Sequence, residues 1–267
     1  MAEQRDQDYL LHSQYKDATN FSARVNLHRR FSVNKYGWHR WVFDQMQMSE
    51  SGSMLELGCG PGLLWLSNLQ RIPTGWRIIL SDFSPGMLQE ARQRLGEQGF
   101  SYQVVDAQAI PFADASFDAI IANHMLYHVP DLSQALTEIR RVLKPGGHLY
   151  ATTIGRGHMR EMDDLVRRAL PDVPWQGLGD RLPFLLENGQ ELLAPFFSPV
   201  ALFTYEDALE VTEAEPLIAY ARSGRLGSHL DTEQIAQLRA LIQHELAAYG
   251  TIRITNASGM FTATKKP

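Results

Sequence analysis

Met54-Leu55-Glu56-Leu57-Gly58-Cys59-Gly60-Pro61-Gly62-Leu63-Leu64 is the stretch whose reading decides the fold. Three alternating glycines follow one apolar run and precede another, so the backbone is expected to leave a buried strand, turn tightly and enter a helix. Glycine tolerates φ > 0 and lets another molecule approach the main chain, as a nucleotide-like ligand requires at a strand-to-helix turn. The spacing therefore predicts a ligand crevice at this loop. A dinucleotide fingerprint, G-x-G-x-x-G, would need glycine or alanine at Leu63, and the leucine counts against NAD.

The 267 residues, 44% of them hydrophobic, can bury a sizeable core and suit one large α/β domain with additions or two unequal domains. No run of about 18 apolar residues occurs, and Met1 to Tyr15 lacks the apolar core of a signal peptide. No membrane span and a cytoplasmic location are expected. Cys59 is the single cysteine, so neither an intrachain disulfide nor a cysteine-rich zinc site can form. A net charge of −5 without a long Lys/Arg run argues against a nucleic-acid substrate.

Working outward from the loop, Leu63–Gln70 is the expected helix, its N-terminus facing the ligand. Arg77–Ser81 reads as a second strand ending at Asp82, where a carboxylate can accept from both ribose hydroxyls of an adenosine. Ser84-Pro85 already caps the next helix, which leaves Asp82 for a ligand, with Phe83 and Met87 beside it. Tyr102–Val105 is a short strand running into Asp106-Ala107. Phe117–Asn123 is a continuous apolar run of the kind found in central parallel strands. His124 and Tyr127 follow at its carboxyl end, the edge that faces ligands in open α/β sheets. A histidine near its ordinary pKa of about 6.5 takes a proton at neutral pH. Leu132–Leu143 is an amphipathic helix, and Lys144-Pro145-Gly146-Gly147 turns the chain into the strand His148–Ile154.

Ahead of the loop, aromatic and basic residues at helical spacing predict two helices broken near Asn34–Gly37. Beyond Thr153 the pattern predicts helices at Met159–Leu170, Leu182–Phe197, Glu213–Arg222 and Thr232–Tyr249, a strand at Val200–Tyr205 and a last one near Met260–Thr264. Trp175, Phe184, Phe197, Tyr220 and Arg222 are candidate pocket residues in this part.

Glu56-Leu57-Gly58-Cys59-Gly60-Pro61-Gly62 resembles the first motif, E/D-x-G-x-G-x-G, of the class I S-adenosylmethionine-dependent methyltransferases. The phrases Pro111-Phe112-Ala113-Asp114-Ala115-Ser116-Phe117-Asp118 and Arg140-Arg141-Val142-Leu143-Lys144-Pro145-Gly146-Gly147 are similar to those of its small-molecule, type 11-like branch. The resemblance implies a Rossmann-like doubly wound sheet of seven strands, six parallel and one antiparallel. It implies an N-terminal helical lid (1–48), a cofactor-binding core (49–155), helical substrate-cover insertions with the sixth strand (156–250) and a C-terminal edge strand (251–267). The implied cofactor is S-adenosyl-L-methionine, held by Glu56, Gly58, Cys59, Gly60, Gly62, Asp82, Phe83, Met87, Asp106, Ala107 and Asn123. Asp106 would accept from the adenine amine. Tyr15, Arg24 and His28 would close over the cofactor from the lid.

For the chemistry, His124 is the expected base, with Tyr127 or His28 behind it, and no metal is required. The expected partner is a small-molecule substrate, with no nucleic acid or membrane, and the chain a monomer or homodimer. Other readings remain: an enzyme of this fold that uses S-adenosylmethionine without methylating, a nicotinamide-dependent oxidoreductase, or a non-catalytic cofactor-binding module.

Overall fold

The structure is a computed structural model that describes residues 19–224 and 226–266; Tyr15 lies outside them. The described residues form nine strands: β1 (Ser51–Leu57), β2 (Gly75–Asp82), β3 (Phe100–Val104), β4 (Phe117–Asn123), β5 (Leu143–Ile154), β6 (Val200–Tyr205), β7 (Ala208–Val211), β8 (Ile252–Thr255) and β9 (Ser258–Thr264). Seven form one sheet in the order β3-β2-β1-β4-β5-β9-β6. β3, β2, β1, β4 and β5 pair in parallel, and β9 runs antiparallel to both β5 and β6. Six strands thus share one direction, as expected. The strand order reverses between β1 and β4, and in such sheets the crevice beyond that reversal is where ligands bind.

The last strand departs from expectation: β9 lies between β5 and β6 rather than at the sheet edge. Its Met260, Phe261 and Ala263 are fully buried on both faces, which suits an interior strand. The edge is β6, whose Ala201–Thr204 are exposed. The described part of 251–267 holds two strands, because β8 pairs with β7 in a separate two-stranded ribbon.

The helices are α1 (Thr19–Phe31), α2 (Trp38–Gln45), α3 (Leu63–Leu66), α4 (Pro85–Leu95), α5 (Leu132–Val142), α6 (Arg160–Ala169), α7 (Gly189–Leu193), α8 (Ala214–Arg222) and α9 (Thr232–Tyr249). α5 starts where the Asp131 carboxylate accepts from Gln134 N–H at 2.9 Å and buries Leu136, Ile139 and Val142 against one sheet face. α2 and α4 cover the other face through Val42, Phe43, Leu88 and Ala91. A third apolar cluster joins Leu27 and Phe31 of α1 to Val166 of α6, Leu217 of α8, Ile242 of α9 and Ile254 of β8. Within the described part of residues 1–48, α1 packs in the cluster with the insertions, while α2 packs in the sheet core.

Two expected helices are shorter than the pattern suggested. After Leu66 the Asn68 side chain donates to the Leu64 carbonyl at 2.8 Å and to the His39 carbonyl at 3.0 Å. A side-chain amide that takes a helix carbonyl competes with continuation, and α3 stops after four residues. Within Leu182–Phe197 only α7 is helical, because the Asn188 side chain ties Leu185 N–H and the Pro183 carbonyl into a turn. Gly189 lets that turn press on Phe261, whose ring lies 2.3 Å from where a Cβ would stand.

Candidate functional site

The glycine loop has left-handed backbone at Gly58, Gly60 and Gly62, with φ of +67°, +53° and +75°. Side chains at Gly58 and Gly62 would strike protein: a Cβ would meet Met125 Cβ at 2.7 Å and Leu95 Cδ1 at 2.6 Å. A Cβ on Gly60 meets nothing within 4 Å, because that residue borders the cavity. Gly58 also borders it, whereas Gly62 serves the packing of α4 beneath the loop.

Asp82, half-buried at the tip of β2, accepts from Gly60 N–H at 2.9 Å on Oδ2 and from Ser84 N–H at 2.8 Å on Oδ1. Desolvation pushes its pKa up to about 6 against those two donors. Each oxygen keeps further lone-pair capacity. Asp106 lines the same cavity, its Oδ1 accepting from Gln108 N–H at 2.9 Å. Phe83, Met87, Ala107 and Asn123 complete this end of the wall.

Besides Gly62, two more of the expected cofactor-binding residues do not line the cavity. Glu56 is 1% exposed and sits beneath the loop, not on the cavity wall. Its carboxylate accepts from Trp65 Nε1 at 2.6 Å and Asn123 Nδ2 at 3.0 Å, and burial pushes its pKa up to about 7. The Cys59 side chain joins the apolar cluster with Leu64 and Trp65, where burial pushes the thiol well up. Its main-chain N–H donates to Ser81 O at 2.8 Å, tying the loop to β2.

The cavity, about 690 Å³, continues toward the cap. His124 borders it in left-handed backbone, φ +50°. Holding a non-glycine residue there costs on the order of 1 kcal/mol, offset by its N–H donating to Thr152 Oγ1 at 2.9 Å. Its ring lies 5.1 Å from that of Trp38 and 6.3 Å from that of Tyr127. Desolvation, with repulsion from His28 and His39, lowers its pKa to about 3. The expectation of an ordinary histidine pKa fails here, since the site disfavours the charged form. His28 borders the same chamber and is pushed down to about 4 by desolvation. Arg24 borders it too, reaching from α1 to the end of α8, with Nε and Nη2 donating to Ser223 Oγ at 3.0 Å and Ser223 O at 2.8 Å.

With this geometry established, residues 55–151 match the family described as Methyltransferase domain. A malonyl-[acyl-carrier protein] O-methyltransferase from Pseudescherichia vulneris is 30% identical over 198 residues, covering 70% of this chain and 73% of that protein. The chain belongs to the class I S-adenosylmethionine-dependent methyltransferases. A ubiquinone/menaquinone biosynthesis C-methyltransferase from Desulfotalea psychrophila is 38% identical over 110 residues, 41% of this chain and 44% of that one. The chain thus spans less than half the length of that relative. Among solved structures, a Haemonchus contortus phosphoethanolamine N-methyltransferase 2 in complex with S-adenosyl-L-methionine superposes with a TM-score of 0.61 at 20% identity. The likeness covers 98% of this chain and 60% of that one and is one of fold.

Much of the cap-side wall carried no local signal in the sequence. Trp38, His39, His158, Tyr205, Asn256 and Ser258 all border the cavity. Of the candidates beyond Thr153, Tyr220 borders it. Phe184 and Phe197 are buried in the core with Phe261, and the Trp175 indole donates to Asp163 at 2.8 Å. Arg222 is not part of the wall. The available signal for His158 was position: Gly155-Arg156-Gly157-His158 follows directly on the fifth strand, at the ligand edge of the sheet.

Proposed function

We propose that this protein transfers a methyl group in line from S-adenosylmethionine to an oxygen, nitrogen or carbon of a small-molecule metabolite. The observation that carries the reading is one continuous cavity with the Gly60–Asp82–Asp106 wall at one end and a wall of aromatic and imidazole rings toward the cap. The first wall fits an adenosyl group: Gly60 is open where a side chain would intrude, and Asp82 has acceptor capacity for a ribose diol. When bound, S-adenosylmethionine supplies a methyl group already activated by its sulfonium.

The chain's own task is then to align the accepting atom and exclude water. Trp38, Tyr127 and Tyr205 supply apolar walls, with Arg24 holding α1 against the cap. His124 stays neutral at physiological pH and offers a lone pair, yet with a pKa near 3 it is too weak to ionise an ordinary hydroxyl in advance. It suits a proton that becomes acidic only as the new bond forms, or a substrate already ionised. Tyr127 and His28 stand behind it as orienting groups. No described helix is long and apolar enough to cross a membrane, and a diffusible metabolite suits an enclosed chamber.

The test is transfer of label from S-[methyl-³H]adenosylmethionine to a panel of small acceptors, beside calorimetry with S-adenosylhomocysteine and NADH. Binding of S-adenosylhomocysteine with transfer to an acceptor is the expected result. Binding of NADH alone would overturn the cofactor assignment, and cofactor binding without transfer to any acceptor would overturn methylation.

A further inference from the structure

Among the described residues nothing polar fixes the imidazole of His124. Its main-chain N–H donates to Thr152 Oγ1 at 2.9 Å and Thr152 O at 3.3 Å, which holds the peptide. Neither ring nitrogen takes part in a hydrogen bond among those residues. Histidines that act on a substrate are ordinarily oriented by a carboxylate or carbonyl on the second nitrogen. Here the half-buried ring stands on the cavity wall with two side-chain torsions and no such partner. Two aromatic rings lie against it instead: Trp38, with centroids 5.1 Å apart and planes at 39°, and Tyr127, farther off at 6.3 Å and 54°.

Trp38 is itself held from three directions. It opens α2 directly after Gly37, and Trp41, three residues on, lies on the same side of the helix. The two indoles stack with centroids 5.3 Å apart and planes at 27°. Tyr205, the last residue of β6, meets Trp38 edge-on at 5.2 Å and 81°, and meets Trp41 at 5.3 Å. Offset and edge-to-face ring pairs prefer particular geometries, so they fix orientation as well as bulk. The loop ahead of α2 is tied down too: Asn34 N–H donates to Asp207 Oδ1 at 3.0 Å and Asn34 Nδ2 to Glu206 O at 2.9 Å. Trp38 and Tyr205 border the cavity, whereas Trp41 is not part of its wall.

We propose that Trp38 is a positioning residue for the methyl transfer: its indole, braced by Trp41 and Tyr205, keeps the His124 imidazole in a single orientation at the cavity wall. The inference rests on the methyl-transfer reading and on the part of His124 in it. A ring held by packing has neither nitrogen committed to the described residues, so the acceptor rather than the protein selects its tautomer. A misplacement of about 1 Å in a group that must meet a reacting atom costs on the order of 100-fold in rate. A side chain that makes no polar contact with the substrate can therefore govern turnover.

The test reads the ring directly, in the full chain with S-adenosylhomocysteine added. Three-bond couplings from the main-chain N and C′ to His124 Cγ, measured in ¹³C,¹⁵N-labelled protein, are expected to show one χ1 rotamer in wild type and in Trp38→Phe, and averaged values in Trp38→Leu. The His124 pKa, about 3 in wild type, is expected to rise above about 5 in Trp38→Leu as water reaches the ring, with His28, His39 and Tyr127 unchanged around it. A merely structural tryptophan would lower the melting temperature and move neither. With the acceptor that takes most label in the tritium assay, Trp38→Leu is expected to lose about tenfold or more in kcat while affinity for S-adenosylhomocysteine stays within about threefold. Averaged couplings in wild type, wild-type couplings and pKa in Trp38→Leu, or an unchanged kcat in Trp38→Leu overturns the proposal. If Trp38→Leu fails to fold, Trp41→Leu decides, since it takes away a brace and leaves Trp38: couplings moved part-way support the proposal, and couplings at wild-type values overturn it. Cofactor binding and label transfer by wild type, measured first, test the methyl-transfer reading separately, because the couplings need no acceptor.

Discussion

Lowering the pH from 7.5 to 5 is expected to weaken S-adenosylhomocysteine binding about tenfold through Asp82. Its carboxyl is pushed up to about 6 by desolvation, and both oxygens already accept main-chain N–H groups. Ribose hydroxyls donating to the remaining lone pairs favour the ionised form, so ligand binding lowers this pKa. The sign follows: affinity is full above pH 6 and is lost as pH falls through it. The ionised fraction is close to one at pH 7.5 and about one tenth at pH 5, a loss of roughly 1.4 kcal/mol. His28, His39 and His124, held at about 4, 4 and 3, stay neutral over this range and do not blur it. Glu56 titrates higher, near 7, and Glu56→Gln removes its contribution. Asp82→Asn is expected to bind about 30- to 1000-fold more weakly at pH 7.5, for two charge-assisted bonds weakened or lost at roughly 1–2 kcal/mol each, with a flat profile. Isothermal titration from pH 8 to 5, with circular dichroism confirming the fold at each point, supplies the measurement. A flat wild-type profile, or an Asp82→Asn profile with the wild-type slope, would refute the reasoning.

Other substitutions separate the roles of neighbouring residues. Gly60→Ala is expected to fold and lose at least tenfold in cofactor affinity by calorimetry, since its methyl enters open space; Gly58→Ala drives a Cβ to within 2.7 Å of Met125 and should cost about 2 kcal/mol or more in urea unfolding. His124→Ala is expected to slow turnover while cofactor affinity stays within a few-fold; unchanged turnover at saturating substrate would remove His124 from the mechanism. Glu56→Ala strands the Trp65 and Asn123 donors and should destabilise by roughly 2–4 kcal/mol. Because the Glu56 pKa rises from 4.5 to about 7 on folding, its contribution to stability is full below 4.5 and is lost as pH rises through 7. Up to about 3 kcal/mol is involved, so Glu56→Gln should compare better with wild type in urea melts at pH 8 than at pH 5.

The sheet was legible because its strands carry two-sided apolar runs and its turns carry glycines that only a left-handed backbone explains. Gly58, Gly60 and Gly62 are a local signal of that kind, and so is Ser84-Pro85, which does cap α4. Side-chain direction was less legible. Glu56 and Cys59 sit within the motif, yet alternation along β1 and the turn after it send both away from the cavity, and a motif match records position without facing. The cap side was hidden for a different reason. His158, Tyr205 and Asn256 come from three distant segments that meet only when β8 leaves the main sheet and β9 returns between β5 and β6. No spacing along the chain encodes that meeting. The pKa of His124 was equally out of reach, since it depends on what desolvates the ring.

The acid of the glycine motif has a use that does not need contact with the cofactor. Asn123 Nδ2 donates to Glu56 Oε1 at 3.0 Å, Thr152 Oγ1 donates to Asn123 Oδ1 at 3.3 Å, and His124 N–H donates to Thr152 Oγ1 at 2.9 Å. From Glu56 the second carboxylate oxygen reaches Trp65 in α3, just past the glycine loop. One buried carboxylate therefore links the glycine loop at one end of the cavity to the peptide of His124, which borders the chamber. Linked hydrogen bonds in a low-dielectric interior rigidify the groups they join. The proposed in-line transfer requires the two ends of the cavity to hold their ligands in one line, and a loose tip on β1 or β4 would misalign them. The arrangement of β1, β4 and β5 would supply that alignment from beneath the cavity floor, leaving Asp82 and Gly60 on the cavity wall.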